Sequence, residues 1–119
     1  MPPDAGARLA LRLEEARAVD RSARDAARQL LARLQQGGNE ELIRVGFDRL
    51  EKEALELDRK ILAVRDELGA SVEASENQEI EALHNQAKTW SQFAAENRSA
   101  DTHIAARRLE VLLRQAAGR

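Results

Sequence analysis

The sequence predicts an all-α protein: an antiparallel coiled-coil hairpin plus one or two further helices, in an elongated three- to four-helix bundle. Apolar residues recur every seven positions from Ile43 to Leu68, the pattern of a helix packed against a partner helix. Both prolines lie at positions 2 and 3, so none interrupts a later helix. Only 3% of the residues are aromatic, which disfavours strands. We therefore expect a single helical domain over residues 1–119.

Start and stop signals place the first two helices at residues 4–36 and 39–68. Asp4 directly follows the prolines and is a candidate N-cap. Gly37-Gly38 is the only double glycine and ends the first helix. Asn39 can then cap the second helix, whose first turn carries two acids where the helix dipole favours them. So short a connection predicts that the two helices fold back antiparallel.

Each helix of the predicted hairpin carries an apolar stripe that we expect to face the other. The stripe of the second helix consists of Ile43, Phe47, Leu50, Ala54, Leu57, Ile61, Val64 and Leu68. The stripe of the first helix consists of Leu9, Leu13, Ala16, Ala23, Ala27, Leu30 and Leu34. Asp20 is the one polar residue within it.

The pattern stops after Leu68, where Gly69 and Ser71 indicate a turn. Ser75 to Gln78 match a capping box, which predicts a third helix over residues 76–97. Its heptad phase is lost between residues 97 and 101, and apolar spacing then resumes over residues 101–117. The sequence leaves open whether residues 76–117 form one helix or two.

Composition excludes several classes of protein. The chain has no cysteine, so it can hold neither disulfides nor thiolate metal sites. Residues 1–6 lack the pattern of a signal peptide, and no apolar run is long enough to cross a membrane. A formal net charge of −2 argues against nucleic-acid binding through bulk positive charge. We expect a cytoplasmic protein that does not contact membranes.

Four arginines form the most distinctive polar pattern, with spacings of four, three and four that place them on one face of the first helix. This arginine ladder consists of Arg17, Arg21, Arg24 and Arg28. It suits phosphates or an acidic partner, because guanidinium groups bind such oxygens bidentately. Alternatively, Asp20, Asp25 and the acids of the second helix neutralise it across the hairpin.

Three apolar residues are candidates for partner contacts. Leu55 and Leu62 lie beside the stripe of the second helix and widen it enough for a second partner. Trp90 continues the third helix's stripe of Ile80, Leu83 and Ala87, so it is predicted to be buried. Phe93 lies off that stripe and is therefore predicted to make an intermolecular contact.

Catalytic and metal-binding signals are weak. Glu81 and His84 have the Glu-x-x-His spacing of helical di-iron proteins, and a dimer would supply a second copy. A single copy is more simply an exposed polar pair. No Cys/His or Ser/His/Asp grouping offers a nucleophile. We expect no cofactor and no enzymatic activity, with a di-iron enzyme as a third hypothesis.

A longer pattern resembles a known family. The segments concerned are residues 30–39, residues 50–68, Leu83 with Trp90, and residues 105–113. Together they resemble the coiled-coil hairpin of large serine recombinases and the helical segment that follows it. The family's zinc-ribbon cysteines and catalytic serine domain are missing, so the resemblance implies a subunit-contact module in a DNA-bound assembly and not recombination itself.

The sequence thus predicts a non-enzymatic coiled-coil module for protein–protein interaction or assembly. It would bind a protein partner or a second copy through its helices. The predicted partner-binding residues are Arg17, Arg21, Arg24, Arg28, Leu55, Leu62 and Phe93. The alternative is a nucleic-acid-associated or recombination accessory factor that uses the arginine ladder, with any nucleic acid contacted only indirectly.

Overall fold

The computed structural model describes residues 5–68 and 74–117, with side-chain burial for 6–68 and 77–117. These residues form four α-helices, and no strand occurs among them. The helices are α1 (Ala5–Gln36), α2 (Glu40–Leu68), α3 (Ala74–Asn97) and α4 (Thr102–Ala117). The bundle measures 57 × 24 × 18 Å, so the predicted all-α, elongated architecture is confirmed.

The turn between α1 and α2 is built as the sequence predicts. Gly37 and Gly38 have φ values of 70° and 99°, the left-handed region in which a side chain would be strained. The Gly37 N–H donates to the Arg33 carbonyl at 3.1 Å. Asn39 Oδ1 accepts a hydrogen bond from the Leu42 N–H at 3.1 Å, so Asn39 is the N-cap of α2.

The second half of the chain forms two helices and not one. The helix α3 begins at Ala74, two residues before the predicted start. Gly69, Ser71 and the side chain of Ser75, which carried that prediction, lie outside the described residues. A turn after Asn97 ends α3, and Asp101 Oδ1 accepts a hydrogen bond from the His103 N–H at 2.8 Å. Asp101 therefore caps α4.

The ion pairs between helices show the relative directions of the helix axes. Between α1 and α2, Glu15 pairs with Lys60 at 3.1 Å and Asp25 with Arg49 at 3.5 Å. Between α2 and the second half of the chain, Arg65 pairs with Glu81 at 3.2 Å and Asp48 with Arg98 at 2.7 Å. In both cases the residue number rises on one helix as it falls on the other. Each pair is thus antiparallel, and α1 and α3 run parallel.

The core consists of two clusters stacked along the bundle. The turn-side cluster, near the α1–α2 turn, consists of Ala23, Ala26, Ala27, Leu30, Leu34, Phe47, Leu50, Ala54, Trp90, Phe93, Ala94, Ala105, Ala106, Leu109 and Ala116. The distal cluster consists of Leu13, Ala16, Leu57, Ile61, Val64, Leu68, Ile80, Leu83 and Ala87. The helix α4 contributes to the turn-side cluster alone, so the bundle has four helices there and three at the distal cluster.

Both predicted hairpin stripes face the core. On α2 every stripe residue is buried except Ile43, which is partly buried against the turn-side cluster. On α1 the same holds except for Leu9, which packs against the distal cluster. Trp90 is fully buried, as predicted. The heptad pattern therefore identifies the core face of both helices.

The change Ile61→Asp should destabilise the protein by about 3 kcal/mol or more, because it buries a carboxylate without a partner in the distal cluster. Urea denaturation followed by circular dichroism measures this loss. Leu62→Asp is the matched control, since the neighbouring Leu62 is exposed and should tolerate the charge. Equal stability of the two variants would contradict the assignment of the α2 stripe to the core.

Candidate interaction surface

Leu55 and Leu62 form an exposed apolar pair on α2. Their relative exposures are 52% and 59%, although leucine is mostly buried in folded proteins. Each follows a buried stripe residue, Ala54 or Ile61, and is therefore turned about 100° away from the core. They lie seven residues apart, so they occupy the same side of the helix two turns apart.

Each leucine lines a shallow surface depression with charged neighbours. The depression at Leu55 has a volume of about 270 Å³ and is otherwise lined by Lys52, Glu53, Glu56 and Arg59. The depression at Leu62 has about 210 Å³ and is otherwise lined by Asp58, Ile61, Arg65 and His84. Acids and bases are balanced around both, so the surface is apolar at its centre and close to neutral at its rim.

Phe93 is not available for the predicted intermolecular contact. Its relative exposure is 3%, and its ring stacks on Phe47 with centroids 5.8 Å apart and planes 15° apart. Phe47 is covered in turn by Arg98, whose guanidinium carbon lies 5.8 Å from the centroid of the Phe47 ring. The prediction that Phe93 lies at the surface is therefore wrong.

Packing of α4 explains why Phe93 is buried. The fourth helix widens the face that α3 must bury, and Gln86, Trp90, Phe93 and Asn97 form a second stripe with spacings of four, three and four. Because Gln86 and Asn97 are polar, apolar periodicity alone does not reveal this stripe. Its spacing was the signal that could have placed Phe93 in the core.

Asn97 joins α3 to α4 at the end of this stripe. Its Nδ2 donates to the Phe93 carbonyl at 2.9 Å, and its Oδ1 accepts a hydrogen bond from Arg108 Nη1 at 2.7 Å. Next to it, a groove of about 410 Å³ separates the two helices, with Phe93, Val111 and Leu112 as its apolar lining. This groove is a second surface with apolar residues in its lining.

Most of the arginine ladder is occupied within the protein. Arg17 donates from Nε and Nη2 to the two carboxylate oxygens of Glu79 on α3, at 2.5 and 2.9 Å. Arg21 pairs with Glu14 at 3.2 Å, and Arg24 pairs with Asp20 at 3.0 Å.

The acids of α2, predicted to neutralise the ladder, pair with none of its arginines among the described residues. Asp25, also predicted as a ladder partner, pairs with Arg49 of α2. Neutralisation therefore comes from α1 itself and from α3. Of the four arginines, Arg28 alone has no ion pair or hydrogen bond to the described residues.

The bidentate bond to Arg17 lowers the pKa of the Glu79 carboxyl below its usual value, because the bond stabilises the charged form. Asp20 shows the opposite shift. Its relative exposure is 6%, and burial raises the pKa of its carboxyl, with the nearby charges of Arg24 and Arg21 offsetting only part of that rise. A buried carboxylate that resists ionisation thus lies beneath the ladder.

Glu81 and His84 both face α2. Glu81 accepts a hydrogen bond from Arg65 at 3.2 Å, and His84 Nδ1 lies 3.7 Å from an oxygen of Asp58. Within residues 5–68 and 74–117, no group of three or more His, Asp or Glu side chains is arranged to hold a metal ion. The same residues contain no helix of the length and apolarity needed to cross a membrane.

Comparison with known proteins gives no match: no protein family, no curated protein and no solved structure corresponds to this chain. The resemblance to large serine recombinases therefore stays a prediction. Any inference about function depends on the surface chemistry of the chain itself.

Replacing Arg17 by Gln should cost about 1 kcal/mol of stability, because it leaves the Glu79 carboxylate without its bidentate partner at a partly exposed site. Arg28→Gln should cost less than about 0.5 kcal/mol, since Arg28 makes no ion pair with the part of the chain that the structure describes. Urea denaturation of the two variants makes the comparison. Equal losses would mean that the Arg17–Glu79 pair contributes nothing to the fold.

Asp20→Asn should melt at a higher temperature than the parent at pH 7, because the folded state disfavours the charged carboxylate. The folded protein holds this proton more tightly than the unfolded chain, so the parent gains stability as the pH falls through the raised pKa. The gap in melting temperature should close by about pH 4, near the ordinary pKa of aspartate. Calorimetry across this range measures it, and a gap that widens with acidification would show that Asp20 stabilises as a charge.

Proposed function

We propose that this chain is a non-enzymatic helical interaction module that binds a helix of a protein partner on α2 around Leu55 and Leu62. The observation that carries this proposal is the exposure of two leucines at heptad spacing, on a helix whose stripe is otherwise closed in the core. A partner helix with apolar residues seven apart would cover both.

The rigidity of α2 supports this assignment. Because Ala54, Leu57 and Ile61 are buried on the core side of the same turns, the backbone that carries the two leucines is held in place before a partner arrives. Binding then costs little ordering of the chain, which favours affinity. The two apolar contacts would supply affinity, and the balanced rim charges would select a partner of mixed charge rather than a strongly acidic or basic one.

The arginine ladder does not support the nucleic-acid alternative. Three of its four guanidinium groups are bonded to carboxylates of the same chain, so phosphates would have to displace those partners. An isolated Arg28 is a weak basis for nucleic-acid binding. A role in a DNA-bound assembly would therefore have to come through a protein partner.

The double change Leu55→Gln/Leu62→Gln should weaken binding of an identified partner, or self-association, at least tenfold, which is about 1.4 kcal/mol. Stability should change little, since both side chains face solvent. Light scattering over a hundredfold dilution measures self-association, and affinity capture from the native host followed by titration measures a partner.

Leu11→Gln is the matched control. Leu11 lies on α1 with a relative exposure of 59%, equal to that of Leu62, so its loss removes as much apolar area from another helix as the loss of Leu62 alone. If Leu11→Gln weakened binding as much as the double change, the loss would reflect exposed apolar area in general and not a binding site on α2. A partner that binds the double variant as tightly as the parent would overturn it.

A further inference from the structure

Charged residues flank Leu55 and Leu62 on α2 in a regular pattern. On a helix, the residues three and four positions away from a given residue lie on either side of it. The outer flank consists of Lys52, Arg59 and Asp66, and the α3-side flank consists of Glu51, Asp58 and Arg65. None of these six residues is buried. At each of three successive heptads the two flanks therefore carry opposite charges.

The outer flank is open to charges from another molecule. Lys52 and Asp66 form no ion pair with any residue that the structure describes. Arg59 pairs within α2 with Glu56, three residues earlier, at 3.5 Å. No bond from α1, α3 or α4 to these three outer-flank residues occurs within the described part of the chain, so they can turn toward a partner without disturbing the bundle.

The α3-side flank is bonded to α3 but can accept further partners. Its bonds are those of Glu51 with Arg98 at 2.8 Å and of Arg65 with Glu81 at 3.2 Å. A carboxylate offers about four acceptor sites and a guanidinium five donors, so one bond exhausts neither group. Both flanks of the leucine pair are thus competent to form ion pairs with a partner helix.

We propose that a second copy of this chain binds at Leu55 and Leu62, with the two α2 helices side by side and parallel. This inference rests on the proposed function, because it names the partner of the same surface. A twofold axis then runs along the helices, and each leucine meets its own copy. Each flank faces the other flank of the copy at the same level, as in parallel coiled coils. Glu51 meets Lys52, Asp58 meets Arg59 and Arg65 meets Asp66, and symmetry repeats every contact.

The charges favour this orientation over the antiparallel one. In an antiparallel pair Leu55 would meet Leu62, and each flank would face itself. At the centre of the contact, Asp58 would then oppose Asp58 of the copy and Arg59 would oppose Arg59. Like charges held opposite each other cost free energy and select against such an arrangement. The parallel pair has no like-charged contact at any of the three levels.

The fold leaves room for the parallel pair. The bonds of Arg65 and Glu51 place α3 beside one flank of the leucine pair, and the stripe of α2 faces the core, away from Leu55 and Leu62. A twofold axis along the helices puts α3 of the second copy on the opposite side of the contact. The two α3 helices therefore do not compete for the same space.

The contact is short, and we expect a weak dimer. One heptad before Leu55 the same side of α2 carries Asp48, which is bound to Arg98 at 2.7 Å, so the apolar contact ends there. Two leucines from each chain give an interface at the small end of the range for specific complexes. Apolar contact supplies the attraction, and the flanking charges set the orientation.

Arg59→Asp should weaken self-association about fivefold or more, because it sets like charges opposite each other at the centre of the parallel pair. Asp58→Arg should weaken it by a similar factor for the same reason. An equal mixture of the two variants should recover the association of the parent, since each chain then meets opposite charges. Analytical ultracentrifugation over a hundredfold range of concentration measures this, at low salt so that the charges are little screened.

Arg114→Asp is the matched control. The side chain of Arg114 is 74% exposed and pairs within α4, much as the side chain of Arg59, 77% exposed, pairs within α2. Both variants change the net charge equally, so a general effect of charge would appear in both. We expect Arg114→Asp to associate like the parent, and all variants to keep the helical circular-dichroism spectrum.

A single spin label tests the orientation, and the chain suits it because it has no cysteine. Val45→Cys places the label at an exposed position of α2. In the parallel pair the two labels lie at the same level, with helix axes about 10 Å apart. Val45 lies more than thirteen residues from the midpoint between Leu55 and Leu62, so an antiparallel pair would separate the labels by about 40 Å along the axis. Pulsed electron resonance distinguishes the two distances.

Three results would each contradict the proposed dimer: a monomer at every concentration, unchanged association of Arg59→Asp, or a label separation near the antiparallel value. None of them decides the proposed function. If the chain is monomeric and Leu55→Gln/Leu62→Gln still weakens binding of an identified protein, the surface binds that protein, and only the second copy is excluded as its partner.

Discussion

Burial of the apolar stripe on α2 is the interaction on which the rest of this bundle depends. The stripe of α1 is interrupted by Asp20 at the junction of the core clusters, and α3 buries Gln86 beside its own stripe at the same junction. From Phe47 to Leu68 the stripe of α2 is apolar throughout and buried throughout. At about 2 kcal/mol for each large side chain removed from water, it joins the two clusters across the level where the other two helices are polar.

The partial coverage by α4 explains much of the remaining architecture. Because α4 reaches only the turn-side cluster, α3 must bury a wider face there, and Phe93 and Asn97 are drawn inward. At the distal cluster three helices suffice, and Arg17 with Glu79 closes the edge between α1 and α3. A regular row of arginines thus acquires unequal roles along its length: Arg17 and Arg24 hold neighbouring groups, whereas Arg28 faces solvent.

The features that the sequence could predict are those determined by residues close together in the chain. Helix ends follow from Gly37, Gly38 and Asn39, whose backbone and capping preferences act within a few residues, and the α2 stripe follows from heptad spacing. The placement of Phe93 could not be predicted from apolar periodicity, since it depends on α4 packing across a stripe that contains Gln86 and Asn97. The partner of Arg17 could not be predicted either, because Glu79 lies 62 residues away in the sequence. The two residues become neighbours only when α3 packs alongside α1. Exposure of Leu55 and Leu62 was predictable from their place beside the heptad stripe, whereas the identity of any proposed partner other than a second copy is not encoded in this chain alone.

Native-state hydrogen exchange tests most directly whether the α2 stripe joins the two clusters into one cooperative unit. Amides of α2 on both sides of the junction, from Leu50 to Val64, should exchange only through global unfolding, with one shared free energy and one shared dependence on denaturant. Two distinct opening free energies, with Leu50 following the turn-side cluster and Val64 following the distal cluster, would contradict this account and show that the polar level divides the bundle into separately unfolding halves.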